Sequence, residues 1–143
     1  MKAIISKLFS EGDALLKEAK AMFLLKKEEQ CDASCHSCKA VKKYLDAYEH
    51  YLFEHLKPTE NYHVLMHLIT QKDPSFKKFT EKIFEVKCFA EESRREKEDF
   101  FLYADEVNDA LKIVLEVRKY IAKKIKLQDE FLSEFSSASF MAI

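Results

Sequence analysis

Residues 35–56 read CHSCKAVKKYLDAYEHYLFEHL and carry the clearest structural signal in the chain. Apolar side chains recur there at steps of three or four residues, which places them on one stripe of an α-helix. The stripe consists of Cys35, Cys38, Val41, Leu45, Tyr48, Leu52 and Leu56. The charged residues between them are expected to stay in water: Lys39, Lys42, Lys43, Asp46 and Glu49. Because such a helix buries one face against other helices, the segment predicts a helical bundle.

The composition of the whole chain agrees with this prediction. With one Gly and two Pro in 143 residues, the chain lacks the frequent turn residues that an all-β fold needs. The net charge of −1 gives no overall basic field that would attract nucleic acid. No run approaches the roughly 18 apolar residues of a membrane span, and no signal peptide is evident. We therefore expect a cytoplasmic protein without membrane segments, whose cysteines are thiols rather than disulfides.

Further apolar repeats predict helices on both sides of residues 35–56. The first is expected over residues 3–27, with a bend or early break at Gly12 because glycine costs about 1 kcal/mol inside a helix relative to alanine. Its expected inner face is Leu8, Leu15, Ala19, Met22 and Phe23. Helix 2 is expected to begin at a cap provided by Asp32 or Ser34 and to end near Lys57, before Pro58.

The second half of the chain predicts three more helices. A short helix over residues 60–71 is expected to be capped by Thr59, and Asp73-Pro74 is expected to begin a helix that continues to about residue 91. Residues 91–99 have no apolar side chain and predict a loop or a solvated turn. The last long helix is predicted over residues 103–126, with acidic residues in its first turn and lysines in its last. Its expected stripe is Ala104, Val107, Leu111, Val114, Ile121 and Ile125.

Together these elements predict an all-α, up-and-down antiparallel four-helix bundle with an extra short helix. Residues 1–126 are expected to form a single domain. Residues 127–143 form a tail that is expected to dock on the bundle or on a partner, because its exposed apolar side chains would be unfavourable on a monomer surface.

The order of these segments resembles the HEPN domains of prokaryotes. The matching segments are His36 with KAVKKYLDAY, then YHVLMHLI, EESRRE and YADEVNDALKIVLEVRKYI, and the resemblance covers about residues 5–126. It implies a helical bundle. Many HEPN proteins are metal-independent ribonucleases with an Arg followed by four to six residues and a His. Others lack this motif and act as binding or scaffolding domains, often beside a nucleotidyltransferase.

This chain lacks the HEPN ribonuclease motif. Its three Arg are residues 94, 95 and 118, whereas its five His, at 36, 50, 55, 63 and 67, all precede them. The resemblance therefore implies a non-catalytic member with a regulatory or toxin–antitoxin role. It is expected to be a homodimer that binds a nucleotide, RNA or a nucleotidyltransferase-type partner protein. The expected ligand-binding residues are Arg94, Arg95, Lys39, Lys43, His63 and His67. Two alternatives stay open: a ribonuclease that uses non-standard residues, and a helical interaction or metal-binding module.

The remaining groups of residues that could bind a metal ion or a phosphate have simpler explanations. Cys31, Cys35, His36 and Cys38 offer zinc ligands, but their spacing continues the helical stripe and favours buried thiols, so no metal or other cofactor is predicted. His63 and His67 lie four apart without the Glu that follows the first His in zinc proteases, and we expect one to pack and the other to be solvated. Arg94 and Arg95 lie among acidic residues, which is typical of a self-compensating loop but also permits phosphate binding.

Overall fold

The computed structural model describes residues 3–25, 30–54, 59–95 and 104–127. Its elements in chain order are α1 (Ala3–Leu25), α2 (Gln30–Phe53), α3 (Tyr62–Lys72), a 3-10 helix (Pro74–Phe79), α4 (Thr80–Arg95) and α5 (Ala104–Lys124). All regular secondary structure in these ranges is helical, which confirms the all-α bundle. The up-and-down topology and the single domain over residues 1–126 stay predictions.

Helix α2 lies at the centre of the bundle and packs against α1, α3, α4 and α5. It is therefore buried on more than one face, and the expectation that Asp46 and Glu49 stay in water is wrong. Asp46 accepts a hydrogen bond of 2.6 Å from Lys42 Nζ, while Glu49 accepts hydrogen bonds from the backbone N–H and the hydroxyl of Thr59. These partners compensate for burying the two carboxylates, since a buried charge is tolerated when it is paired.

Three predicted helix ends differ from the structure. Helix α2 ends at Phe53 rather than near Lys57, since Glu54 adopts a left-handed conformation with φ of 56°. Asp32 and Ser34 lie inside α2, which begins at Gln30. The cap of α3 is Asn61, whose side chain accepts hydrogen bonds from the backbone N–H groups of the next turn. The hydroxyl of Thr59 is occupied by Glu49 instead.

Helix α1 passes through Gly12 without a break. Its buried face is rotated by about one residue from the predicted one, so that Leu8, Leu15 and Met22 are only half-buried. The side chains that are fully buried are Ile5, Phe9, Leu16, Ala19 and Phe23. Helix α1 runs antiparallel to α2, because Glu11 pairs with Lys43 and the earlier α2 residue His36 pairs with the later α1 residue Glu18.

The predicted helix after Asp73-Pro74 consists of two elements. A 3-10 helix places the buried Phe76 and Phe79 one turn apart, and α4 then extends to Arg95, beyond the predicted end near residue 91. The predicted stripe of α5 is confirmed from Val107 to Ile125, and Val117 and Arg118 complete it. The aromatic patch 100–103 and most of the tail, residues 128–143, lie outside the described residues.

Candidate functional site

A groove lined by lysines lies where α1, α2, α3 and α4 meet. It has a volume of about 330 Å³ and is called the lysine groove below. Its lining residues are Leu15 of α1, Cys38, Lys39, Lys42 and Lys43 of α2, Tyr62 of α3, and Lys87 and Glu91 of α4. Two of the predicted ligand-binding residues, Lys39 and Lys43, are thus brought together with two further lysines. The helical period explains this arrangement, because residues three and four apart lie on one face.

Two lysines of the lysine groove, Lys43 and Lys87, form ion pairs with partly exposed carboxylates. Lys43 lies 2.8 Å from Glu11 and Lys87 lies 3.2 Å from Glu91, both with partly exposed side chains. The hydrogen bond from Lys43 lowers the pKa of Glu11, so this carboxylate is charged at neutral pH. Lys39 is exposed and makes no ion pair with any described side chain. Because exposed ion pairs contribute only about 0–1 kcal/mol, an anionic ligand can compete for Lys43 and Lys87.

Lys42 differs from the other lysines of the groove. Its ammonium group is 2.6 Å from the buried carboxylate of Asp46, and both side chains are largely shielded from water. Burial raises the pKa of Asp46, and the hydrogen bond from Lys42 opposes this effect. Lys42 therefore has a structural role in holding the Asp46 charge, which leaves Lys39, Lys43 and Lys87 as the lysines available to a ligand.

Tyr62 forms the aromatic wall of the lysine groove. Its hydroxyl donates to the backbone oxygen of Cys38 at 3.4 Å and lies 3.7 Å from the sulfur of the same residue. Lys87 Nζ is 5.5 Å from the centre of the Tyr62 ring, which is within the range of a cation–π interaction. Burial raises the pKa of Tyr62, as does the proximity of Cys38, so the phenol stays neutral and adds no negative charge to the groove.

The predicted histidines do not line the lysine groove. His63 is exposed and stacks on Phe84 of α4 with ring centres 4.5 Å apart. His67 is exposed and its Nε2 lies 3.1 Å from the amide nitrogen of Gln71. Both histidines are exposed, so the prediction that one packs and the other is solvated is met only by the ring contact of His63 with Phe84. Their expected participation in ligand binding receives no support from these positions.

Arg94 and Arg95 lie in the last turn of α4, three and four residues beyond Glu91. Their backbone is helical, which corrects the predicted loop or turn over residues 91–95. Their side chains, and residues 96–99 of the same predicted loop, lie outside the described part of the chain. Whether the two guanidinium groups reach the lysine groove therefore stays a prediction.

The cysteines near the start of α2 are engaged with the protein. Cys35 Sγ lies 3.9 Å from the backbone oxygen of Ala90, His36 pairs with Glu18 at 3.2 Å, and Cys38 is buried. The side chain of Cys31 lies outside the described residues. Among those that are described, no group of three His, Cys, Asp or Glu side chains is placed to hold a metal ion.

Sequence reasoning did not identify Tyr62, Lys87 and Glu91 as parts of a site. Lys87 and Glu91 are four residues apart, and this spacing for an ion pair on one helix face can be read from the sequence. This pair alone does not show that α4 packs beside Lys39 of α2, because that contact depends on the tertiary structure.

None of the helices in the described ranges is both long and apolar enough to cross a membrane.

Comparison with known proteins gives no family assignment. No protein-family model, no curated protein and no solved structure matches the chain.

Proposed function

We propose that this protein is a non-catalytic, HEPN-like helical bundle that binds a phosphate-bearing ligand, a nucleotide or a short RNA segment, in the lysine groove. The observation that carries the proposal is the convergence of Lys39 and Lys43 from α2 with Lys87 from α4 on one groove of about 330 Å³. Phosphate groups are bound in proteins by such ammonium groups, which act as point charges.

The size and the lining of the groove favour a small ligand or a short segment of a longer one. Its volume is at the lower end of the range for small-molecule sites, and Tyr62 and Leu15 provide apolar surface beside the lysines. A planar base stacks favourably on aromatic side chains. Lys39, which has no carboxylate partner among the described side chains, is the first candidate for a phosphate contact.

The absence of an Arg-then-His arrangement in the sequence supports a binding role rather than RNA cleavage. Arg94 and Arg95 are proposed as additional contacts, because α4 carries them one turn beyond Glu91. A homodimer and a nucleotidyltransferase-type partner are part of the same proposal. They rest on the resemblance described above and not on a contact in the bundle.

The proposal is tested with a fluorescein-labelled 12-nucleotide single-stranded RNA, measured by anisotropy at low salt, with ATP as competitor. The variant Lys39→Glu/Lys43→Glu should weaken binding by at least about tenfold, since charge reversal at phosphate contacts removes attraction and adds repulsion. Competition by ATP would show that a single nucleotide is sufficient for binding to the lysine groove. If RNA binds and ATP does not compete, the ligand of the groove is an RNA segment rather than a single nucleotide.

A matched control separates the groove from the overall charge. Lys77 and Lys119 are exposed and lie outside the lysine groove, so Lys77→Glu/Lys119→Glu makes the same change in net charge. Its affinity should stay within about threefold of the unmodified protein. Equal losses in the two double variants, or no binding by the unmodified protein, would contradict the proposal. RNA shortened during the incubation would favour the ribonuclease alternative.

A further inference from the structure

A second groove, of about 330 Å³, lies between α4 and α5 and is called the acidic groove below. The two helices run antiparallel here, because Lys82 pairs with Glu116 at 3.7 Å while Glu92 lies close enough to Glu106 to affect its pKa. The Lys82–Glu116 pair lies three residues before Glu85 on α4 and three residues after Ile113 on α5. From Glu85 to Glu92 the groove is about 10 Å long, since a helix rises about 1.5 Å per residue.

The floor of the acidic groove is apolar. Val86 and Ala110 are buried there, and Phe89 and Ile113 are half-buried. Val86 and Phe89 are three residues apart on α4, as are Ala110 and Ile113 on α5, so each helix presents two apolar side chains to the groove. This spacing provides a strip of hydrophobic surface that is about one helical turn long.

The walls of the acidic groove carry four exposed carboxylates. They are Glu85 and Glu92 on α4, and Glu106 and Asp109 on α5. None of them forms an ion pair with another side chain in the described ranges. Burial raises the pKa of Glu106, and the neighbouring charges of Glu92 and Asp109 raise it further. The carboxylates therefore repel one another, and a cationic partner would relieve this repulsion.

We propose that the acidic groove docks an amphipathic helix of another protein, with apolar side chains on the floor and Lys or Arg side chains against the carboxylate walls. Helices commonly bind in this manner, through apolar residues at helical spacing inserted into a hydrophobic groove. The complementary charge determines the partner chemistry and excludes nucleic acid, which the carboxylates repel. The inference is independent of the lysine groove, which lies on the opposite side of α4 and is lined by Lys87 and Glu91.

The test uses the full chain and two fluorescein-labelled 14-residue model peptides with the same leucine stripe. One peptide has lysine at its polar positions and the other has glutamate. We expect the lysine peptide to bind at least about tenfold more tightly, because the walls attract the first and repel the second. Equal binding of both peptides, or no binding of the lysine peptide, would overturn the proposal.

Variants then locate the binding surface. Glu85→Lys/Asp109→Lys reverses one carboxylate on each wall and should weaken binding of the lysine peptide by about tenfold. Glu60→Lys/Glu81→Lys makes the same net change at exposed positions outside the groove, and its affinity should stay within about threefold. An equal loss in both variants would show non-specific attraction and overturn the proposal. Circular dichroism of each variant establishes that the helices are retained.

Cys88 provides a direct readout of the position of the peptide. It is exposed and lines the acidic groove between Glu85 and Glu92. A lysine peptide with one central cysteine in its leucine stripe should form a disulfide with Cys88 under mild oxidation, as located by mass spectrometry. The cross-link should disappear in Cys88→Ser. A cross-link formed mainly at Cys35 or Cys38 would place the peptide elsewhere and contradict the proposal.

Discussion

Arg118 of α5 and Asp13 of α1 form a two-point ion pair inside the bundle. The guanidinium Nε donates to one carboxylate oxygen at 2.7 Å and Nη2 donates to the other at 3.0 Å. The Arg118 side chain is completely buried and its Cζ atom lies 4.9 Å from the ring centre of Phe9. The hydroxyl of Tyr44 donates to the same carboxylate at 2.6 Å. Three helices are therefore joined by one polar cluster.

Asp13→Asn should destabilise the protein by about 3–5 kcal/mol, because it leaves the Arg118 charge buried without a counter-ion. Replacing both partners by apolar residues, as in Asp13→Leu/Arg118→Met, should cost less than this single change, since no charge remains in the core. Urea unfolding followed by circular dichroism measures both values. The exposed neighbour variant Lys119→Ala serves as control and should change stability by less than about 0.5 kcal/mol. A cost below about 1 kcal/mol for Asp13→Asn would contradict a structural role for the pair.

Gly12→Ala should destabilise the protein, although alanine is favoured over glycine inside an ordinary helix by about 1 kcal/mol. A Cβ atom at position 12 would lie 2.7 Å from Cε1 of Tyr44, and this ring is buried and held by its hydrogen bond to Asp13. In the background Tyr44→Leu, which removes the clashing ring atom, Gly12→Ala should become neutral or stabilising. Thermal unfolding of the four proteins measures this coupling. A higher melting temperature for Gly12→Ala alone would show that the ring moves freely.

Acid should weaken a second polar cluster, which is centred on Asp73. This carboxylate accepts hydrogen bonds of 2.6 Å from Tyr48, 2.7 Å from Tyr120 and 2.6 Å from Ser75. Burial raises the pKa of Asp73, but these hydrogen bonds lower it more, to about 2. Since an unfolded Asp has a pKa of about 3.9, the carboxylate stabilises the fold fully above about pH 4. This contribution is lost as the pH falls from about 4 to about 2.

Asp73→Asn should remove this acid dependence and cost about 2–3 kcal/mol at pH 7, since a fall of the pKa from about 3.9 to about 2 corresponds to about 2.6 kcal/mol of stability. Urea midpoints measured between pH 7 and pH 2.5 should therefore converge for the variant and the unmodified protein as the pH falls. The exposed Asp105→Asn is a control that should leave the pH profile nearly unchanged. A gap between Asp73→Asn and the unmodified protein that stays constant down to pH 2.5 would contradict the assigned pKa shift.

The lysines of the lysine groove should separate into binding and structural residues. Lys39→Ala should reduce RNA affinity and lower the slope of log affinity against log salt by about 0.7, the value for one phosphate contact on a single strand, without changing stability. Lys42→Ala should instead destabilise the fold by about 1–3 kcal/mol, because it leaves the Asp46 carboxylate buried and uncompensated. Anisotropy titrations in several salt concentrations and urea unfolding measure the two effects. Identical behaviour of the two variants would contradict the distinction.

The local pattern of the sequence predicted the helices well, because a stripe such as Val107 to Ile125 of α5 depends only on neighbouring residues. The predicted inner face of α1 was wrong in part, because Leu8, Leu15 and Met22 are only half-buried whereas Ala19 and Phe23 are buried as predicted. The close approach of Gly12 to Tyr44 is a tertiary contact, and the spacing of residues within α1 does not reveal it. The burial of Arg118 likewise depends on Asp13, 105 residues away along the chain.

The candidate site was predictable only in part for the same reason. Lys39 and Lys43 were expected from the resemblance to HEPN domains, whereas Lys87 and Tyr62 join them through packing of α3 and α4 on α2. The acidic groove also requires two helices that are separate in sequence. Pairwise contacts of this kind have no signature in the spacing of a single segment.

The most direct test of the central claim is nuclear magnetic resonance mapping of the binding surface. The 15N-labelled protein is titrated with the 12-nucleotide RNA or with ATP, and amide shifts are followed. The proposal predicts the largest shifts at Cys38, Lys39, Lys43, Tyr62 and Lys87, which line the lysine groove, with little change along the acidic groove. Absence of shifts at millimolar ATP and at saturating RNA, or shifts concentrated away from these residues, would contradict the claim that this groove binds phosphate.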